Sequence, residues 1–273
     1  SHNNNYNSFG IEDLTSPVTS ATIRPTYFID RVPRLLPLIV FLLTLSLYLF
    51  QPKMENNYVS NGIESQSGIS TFKLVLFGDS LLNVPYQQFS LETKLQSKFP
   101  TKNLRIINSG INGDKIASMR ARLQSDVLEY SPDAVMIFWD SDISDLPIEV
   151  LESSSTQVKY EEDLLNVVQT LKSNCSYLAV AGPGLLGEGI LFLPGRFQGK
   201  NRLLDIYREI NKKVCFQVNV EYIDLRQAFL DALPTVWLFS RWYVTSDGEH
   251  PNERGSQIIA DKFGASLQTF FNK

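Results

Sequence analysis

Five short apolar runs alternate with amphipathic stretches along the C-terminal three quarters of the chain. They fall at 73–78, 103–108, 134–139, 177–182 and 220–225, and are rich in Val, Ile, Leu and aromatic side chains. Runs of this length and texture predict strands buried on both faces. Between them the spacing of apolar residues predicts helices near 88–98, 115–129, 159–172 and 200–214, and a last helix near 254–271. Strand and helix in strict alternation predict an α/β fold, a parallel sheet covered on both sides.

The pattern upstream is different. Residues 1–30 are rich in Asn, Ser and Thr without helical or strand period, the texture of a disordered tail. From Leu35 to Phe50 the chain then runs sixteen residues without a charge, bounded by Arg31 and Arg34 before and Lys53 after. As a helix this run rises about 24 Å, enough to span a bilayer when flanking residues snorkel. A buried core helix would show a polar face. A cleavable leader would lack the long preceding tail and would carry a small-residue cleavage site. The expectation is therefore a transmembrane signal-anchor over 31–53, a polar linker over 54–70 and a folded domain over 71–273. Arg24, Arg31 and Arg34 place the tail on the cytoplasmic side and the domain in a lumen or outside the cell.

Composition narrows the picture further. At 273 residues and 43% hydrophobic, the chain has room for one complete α/β domain plus the extra segment. The balance of 29 acidic against 25 basic side chains, without a basic block, excludes an electrostatic footprint for nucleic acid. Two cysteines, Cys175 and Cys215, permit one disulfide at most and, with two histidines, no ordinary structural zinc site. Asn174-Cys175-Ser176 is an N-glycosylation sequon, consistent with a lumenal or extracellular domain.

In doubly wound sheets, ligands bind beyond the carboxyl ends of the strands. Gly78-Asp79-Ser80-Leu81 follows the first strand, and a serine in this turn either caps the next helix or acts as a nucleophile. A nucleophilic serine needs a base. The chain offers His2, in the tail, and His250, just before the last helix with Asp247 three residues upstream. One loop can thus present a carboxylate and the imidazole it orients.

These residues resemble the GDSL, or SGNH, hydrolases, whose blocks recur in order through most of 72–271. FGDSLLN (77–83) is similar to the nucleophile block, INSGINGDK (107–115) to the second block and DGEHPNERG (247–255) to the last. The resemblance implies a three-layer α/β/α flavodoxin-like fold with a five-stranded parallel sheet. It also implies a serine esterase with Ser80, Asp247 and His250 as the catalytic residues. Ser80 and Gly113 would lend their backbone amides to the oxyanion hole. The third block departs from the family: where Gly-x-Asn-Asp is usual, the chain reads Trp139-Asp140-Ser141-Asp142. Ser141 then stands in for the asparagine, with a shorter and rotatable donor. Trp139 is either a pocket wall or a packed aromatic.

Asp140, Asp142 and Asp145 read as solvated loop carboxylates rather than a metal site, and no cofactor is expected. The expected substrate is an ester, either an acyl lipid, suited to a membrane tether, or an O-acetylated glycan, suited to a secretory location. The altered third block keeps two other readings open: a catalytically weak binding or assembly module within a membrane complex, and an O-acyltransferase.

Overall fold

The computed structural model describes residues 70–83, 90–188, 195–233 and 243–273, all within the compact unit Ser65–Lys273. The expected tail, membrane anchor and nearly all of the linker lie outside the described residues. Among those described, no helix is long and apolar enough to cross a membrane.

Each apolar run forms a strand: β1 (Phe72–Gly78), β2 (Leu104–Gly110), β3 (Ala134–Phe138), β4 (Tyr177–Ala181) and β5 (Glu221–Ile223). All pairings are parallel and the order is β2-β1-β3-β4-β5, which puts β1 and β3 near the middle. Alternate side chains of these strands feed two separate cores. Val75, Phe77, Val135, Ile137 and Val180 face one side; Leu74, Leu76, Met136, Phe138 and Ala181 face the other. The period of two along each strand is what lets one sheet anchor two helical layers.

The first layer contains α2 (Ile116–Ala121), α6 (Ser154–Lys172) and α7 (Asn201–Val218), burying residues such as Met119, Leu164, Val168 and Leu204. The second contains α1 (Leu91–Lys98), α8 (Leu225–Ala232) and α9 (Glu253–Phe271), burying Leu95, Phe229 and Phe263. Between α2 and β3 lie the short α3 (Leu123–Asp126) and a 3₁₀ turn at Leu128–Tyr130, and after β3 come α4 (Ser141–Ser144) and α5 (Ile148–Leu151).

Three expectations are corrected. The helix near 115–129 is interrupted at Arg122, whose side chain turns into the protein. The helix near 159–172 starts at Ser154, because the Ser153 hydroxyl caps it by accepting from the Thr156 amide at 3.2 Å. The strand near 220–225 stops at Ile223, because Asp224 accepts from the Gln227 amide at 3.1 Å and starts α8. That helix had not been expected. Cys175 and Cys215 are both free thiols, and burial pushes them up to about 11 and about 12.

Candidate active site

Strand β1 leads into the turn that carries Ser80, and its last residue must come very close to β3: a Cβ on Gly78 would lie 1.9 Å from the Phe138 carbonyl oxygen. Asp79 then locks the turn. Fully buried, it accepts through Oδ1 from the Leu81 amide at 2.9 Å. Its Oδ2 accepts from the amides of Asp140 and Ser141 at 2.9 and 2.8 Å and from the Ser141 hydroxyl at 2.6 Å. Burial pushes this carboxyl up, opposed by the four donors, and the net direction is upward.

The loop before α9 brings in the partner groups. Asp247 Oδ1 accepts from the amides of Glu249 and His250 at 2.9 and 2.8 Å, folding the loop back on itself. The Ser246 amide donates to the His250 carbonyl at 2.9 Å, and Asn252 caps α9 by accepting from the Gly255 amide at 3.1 Å. Gly187, in the segment after β4, holds this loop from the other side. Its amide donates to the Gly248 carbonyl at 2.5 Å, and a Cβ on Gly187 would lie 2.7 Å from Gly248 Cα. Gly248 itself has φ +94°.

The result is a continuous chain of polar contacts. His250 Nε2 lies 2.9 Å from Ser80 Oγ, and His250 Nδ1 lies 2.6 Å from Asp247 Oδ2. Ser80 is 7% exposed, so its hydroxyl is sheltered yet reachable. Partial burial raises the Asp247 carboxyl, but the bonds from the His250 ring and the two backbone amides outweigh it and hold the group below its ordinary range.

Gly113 stands in the loop between β2 and α2 with φ +70°. Among the described residues, the amides of Ser80 and Gly113 donate to no protein acceptor. Ser141 differs from expectation: its hydroxyl proton is committed to Asp79, so the side chain braces the turn that carries Ser80. Trp139 is a packed aromatic, 1% exposed and stacked on Tyr160 at 6.0 Å, with its indole N–H donating to Asp142.

The three neighbouring acidic residues diverge. Asp142 accepts from the Ile116 amide and the Trp139 indole, while Asp145 pairs with Lys115 and Arg196. Asp140 is 1% exposed; burial, then the charges of Asp79, Glu249 and Asp145, hold its carboxyl well above the usual range. Among the described residues there is no group of three or more side chains placed to hold a metal ion.

Arg122 is a residue that sequence reasoning missed. Its guanidinium donates to the Gly78 carbonyl at 2.8 Å, the Ser109 carbonyl at 2.8 Å, Asp114 at 2.5 Å and Asp126 at 2.9 Å, and it lies over the Phe77 ring. It thereby ties the end of β1, the end of β2 and the neighbour of Gly113 into one frame.

Residues 76–258 match the model of the GDSL-like lipase/acylhydrolase family. An acetylxylan esterase from Geobacillus stearothermophilus is 26% identical over 176 residues, covering 62% of this chain and 74% of that protein. A crystal structure of an acetylxylan esterase from the same organism superposes with a TM-score of 0.59 at 23% identity, covering 73% of this chain and 95% of the other. A second acetyl xylan esterase, AlAXEase, gives 0.59 at 25% identity, covering 72% of this chain and all of that one. With the family match covering most of the chain, the protein belongs to the GDSL-like lipase/acylhydrolase family and is an ester hydrolase.

Proposed function

We propose that the protein is a glycan O-acetyl esterase working through Ser80, His250 and Asp247. The observation that carries the reading is the contact chain itself, Ser80 to His250 at 2.9 Å and His250 to Asp247 at 2.6 Å. Catalytic mutants of the Geobacillus acetylxylan esterase replace one serine, one aspartate and one histidine, the same three residue types. The two acetylxylan esterases favour a glycan over a lipid as the alcohol part of the ester.

With the imidazole proton on Nδ1 and donated to Asp247, Nε2 takes the Ser80 proton as Oγ attacks the acetyl carbonyl carbon. The carbonyl oxygen gains a negative charge, which the amides of Ser80 and Gly113 are available to hold. The bond to the sugar oxygen breaks as His250 returns the proton to that oxygen, leaving acetyl-Ser80. Water, deprotonated by His250, attacks the acyl carbon and releases acetate, and the proton returns to Ser80 Oγ.

The charge-free run at 35–50 and its arginine-rich flank support a tethered domain on the non-cytoplasmic side. Two measurements test the proposal. A fluorophosphonate probe is expected to label the wild type and not Ser80→Ala, with acetate released from acetylated xylo-oligosaccharide by the wild type alone. Absence of labelling under conditions that label a related active esterase would overturn the catalytic reading. Protease treatment of sealed vesicles is expected to spare residues beyond 53 and cut the tail; the reverse pattern would overturn the topology.

A further inference from the structure

Two buried carboxyls lie behind Ser80, and the fold provides for them very differently. Asp79 accepts four hydrogen bonds, from the amides of Leu81, Asp140 and Ser141 and from the Ser141 hydroxyl. Asp140 is 1% exposed, and neither of its carboxyl oxygens accepts a hydrogen bond from the described residues. Towards Gly184 its neighbours are apolar: a Cβ placed on that glycine would lie 3.1 Å from Asp140 Oδ2, 3.7 Å from the Phe138 ring and 4.0 Å from a Leu81 methyl.

The charges that weigh most on Asp140 are all acidic. Asp79 faces it from the turn after β1, Glu249 from the loop before α9 and Asp145 from the end of α4. The Gly184 amide, after β4, approaches without completing a hydrogen bond, and lowers the carboxyl less than burial and those charges raise it. The cations beside these acids are engaged elsewhere. Arg196 pairs with Asp145 at 3.4 Å and with Glu249 at 3.8 Å, and the Lys200 ammonium donates to the Ser144 carbonyl.

Such a place suits a neutral carboxyl far better than a carboxylate, because an uncompensated buried charge is the costlier of the two. Asp79 is the opposite case, since accepting four bonds suits an ionised group. One contact joins the pair: the donor at 2.9 Å to Asp79 Oδ2 is the amide of Asp140 itself. A charge appearing on Asp140 therefore repels Asp79 across the bonds that fix the Ser80 turn. We propose that Asp140 is a positioning residue that must stay protonated for Ser80 to be held in place, and that its ionisation loosens the turn and slows acyl transfer. The inference rests on the reading of Ser80 as the nucleophile.

The full chain in detergent, compared with Asp140→Asn and Asp140→Leu, tests it. Neither variant can ionise at this position, and either suffices if the other does not fold. Fluorophosphonate labelling of Ser80 is expected to slow in the wild type, relative to the variants, by at least about threefold between about pH 7 and about pH 10. Hydrogen exchange over residues 79–83 is expected to lose protection across the same range in the wild type alone. At neutral pH the infrared band of protonated carboxyls is expected to be weaker in both variants. A labelling ratio that stays constant with pH, or a carboxyl band as strong in the variants as in the wild type, would overturn the proposal. Should Ser80 not label at any pH, exchange decides alone. Alkaline loss of protection confined to the wild type then supports the role of Asp140 and sinks only the esterase reading, and its absence overturns both.

Discussion

The hydroxyl of Ser141 donates to Asp79 Oδ2 at 2.6 Å, and the amide of the same residue reaches the same oxygen at 2.8 Å. The residue standing in place of the usual family asparagine therefore supports the Ser80 turn from behind. Ser80 sits at the end of a clamp running from β3 through Ser141 and Asp79. Its placement depends on buried hydrogen bonds as much as on its own turn.

This assigns Ser141→Ala a characteristic cost. Losing a buried donor to a carboxylate is expected to reduce stability by about 1.5–3 kcal/mol. The remaining backbone donors hold Asp79, so kcat/KM is expected to fall less than about tenfold. Removal of a true oxyanion donor costs about a hundredfold to a thousandfold. Steady-state kinetics beside urea denaturation separates the two, and a loss in the larger range would put the hydroxyl on the oxyanion after all.

Arg122 is a positioning residue by the same reasoning, since it touches the Gly78 carbonyl two residues before Ser80 and the Asp114 carboxylate beside Gly113. Arg122→Ala leaves Asp114 buried without its cation, and is expected to cost about 3–5 kcal/mol of stability. Arg122→Lys keeps the charge but cannot reproduce four directed contacts from one planar fork. It is expected to retain part of the stability while kcat falls and KM changes little. If Arg122→Lys has wild-type kcat, the framing role is wrong.

The strands were legible because each is a short apolar run between helical patterns, and the sheet leaves no other use for such runs. His250 was legible because the only other histidine lies in the tail. Arg122 was not, since an arginine inside a helical pattern reads as an ordinary helix former until the carbonyls of Gly78 and Ser109 are brought to it by the fold. Helix α8 did have a signal in Asp224 followed three residues later by Gln227, a helix-start spacing that a β-rich reading of VEYIDL obscured. The Ser141 hydroxyl was unreadable for a different reason: sequence fixes which group it carries, and only packing decides whether that group faces Asp79 or the site mouth.

Gly187 gives a third prediction. A methyl group there would lie 2.7 Å from Gly248 Cα, a backbone atom that cannot step aside without moving the turn between Asp247 and His250. Gly187→Ala is expected to lower kcat by about a hundredfold, the scale of a small misplacement of catalytic groups. Fluorophosphonate labelling of Ser80 should slow in parallel, while the two hydrophobic cores stay intact by near-ultraviolet circular dichroism. Labelling at the wild-type rate would show that the loop tolerates the shift.

Asp142 makes stability depend on pH in a defined direction. Burial raises its carboxyl from 3.8 to about 6, against the bonds from Ile116 and Trp139. Below about pH 4 the group is neutral in both folded and unfolded chains and costs nothing. As pH rises from about 4 to about 6 the unfolded chain gives up its proton while the folded one keeps it, so folding is progressively disfavoured. Above about pH 6 the penalty levels off, on the order of 3 kcal/mol for a shift of this size. An asparagine can accept the same two bonds through its carbonyl oxygen without carrying a charge. Asp142→Asn is therefore expected to match wild type near pH 4 and to exceed it in stability at pH 8, read as a difference in urea midpoint between the two. A variant that is less stable at pH 8 than at pH 4, relative to wild type, would mean that the ionised carboxylate is the favoured form in the folded protein.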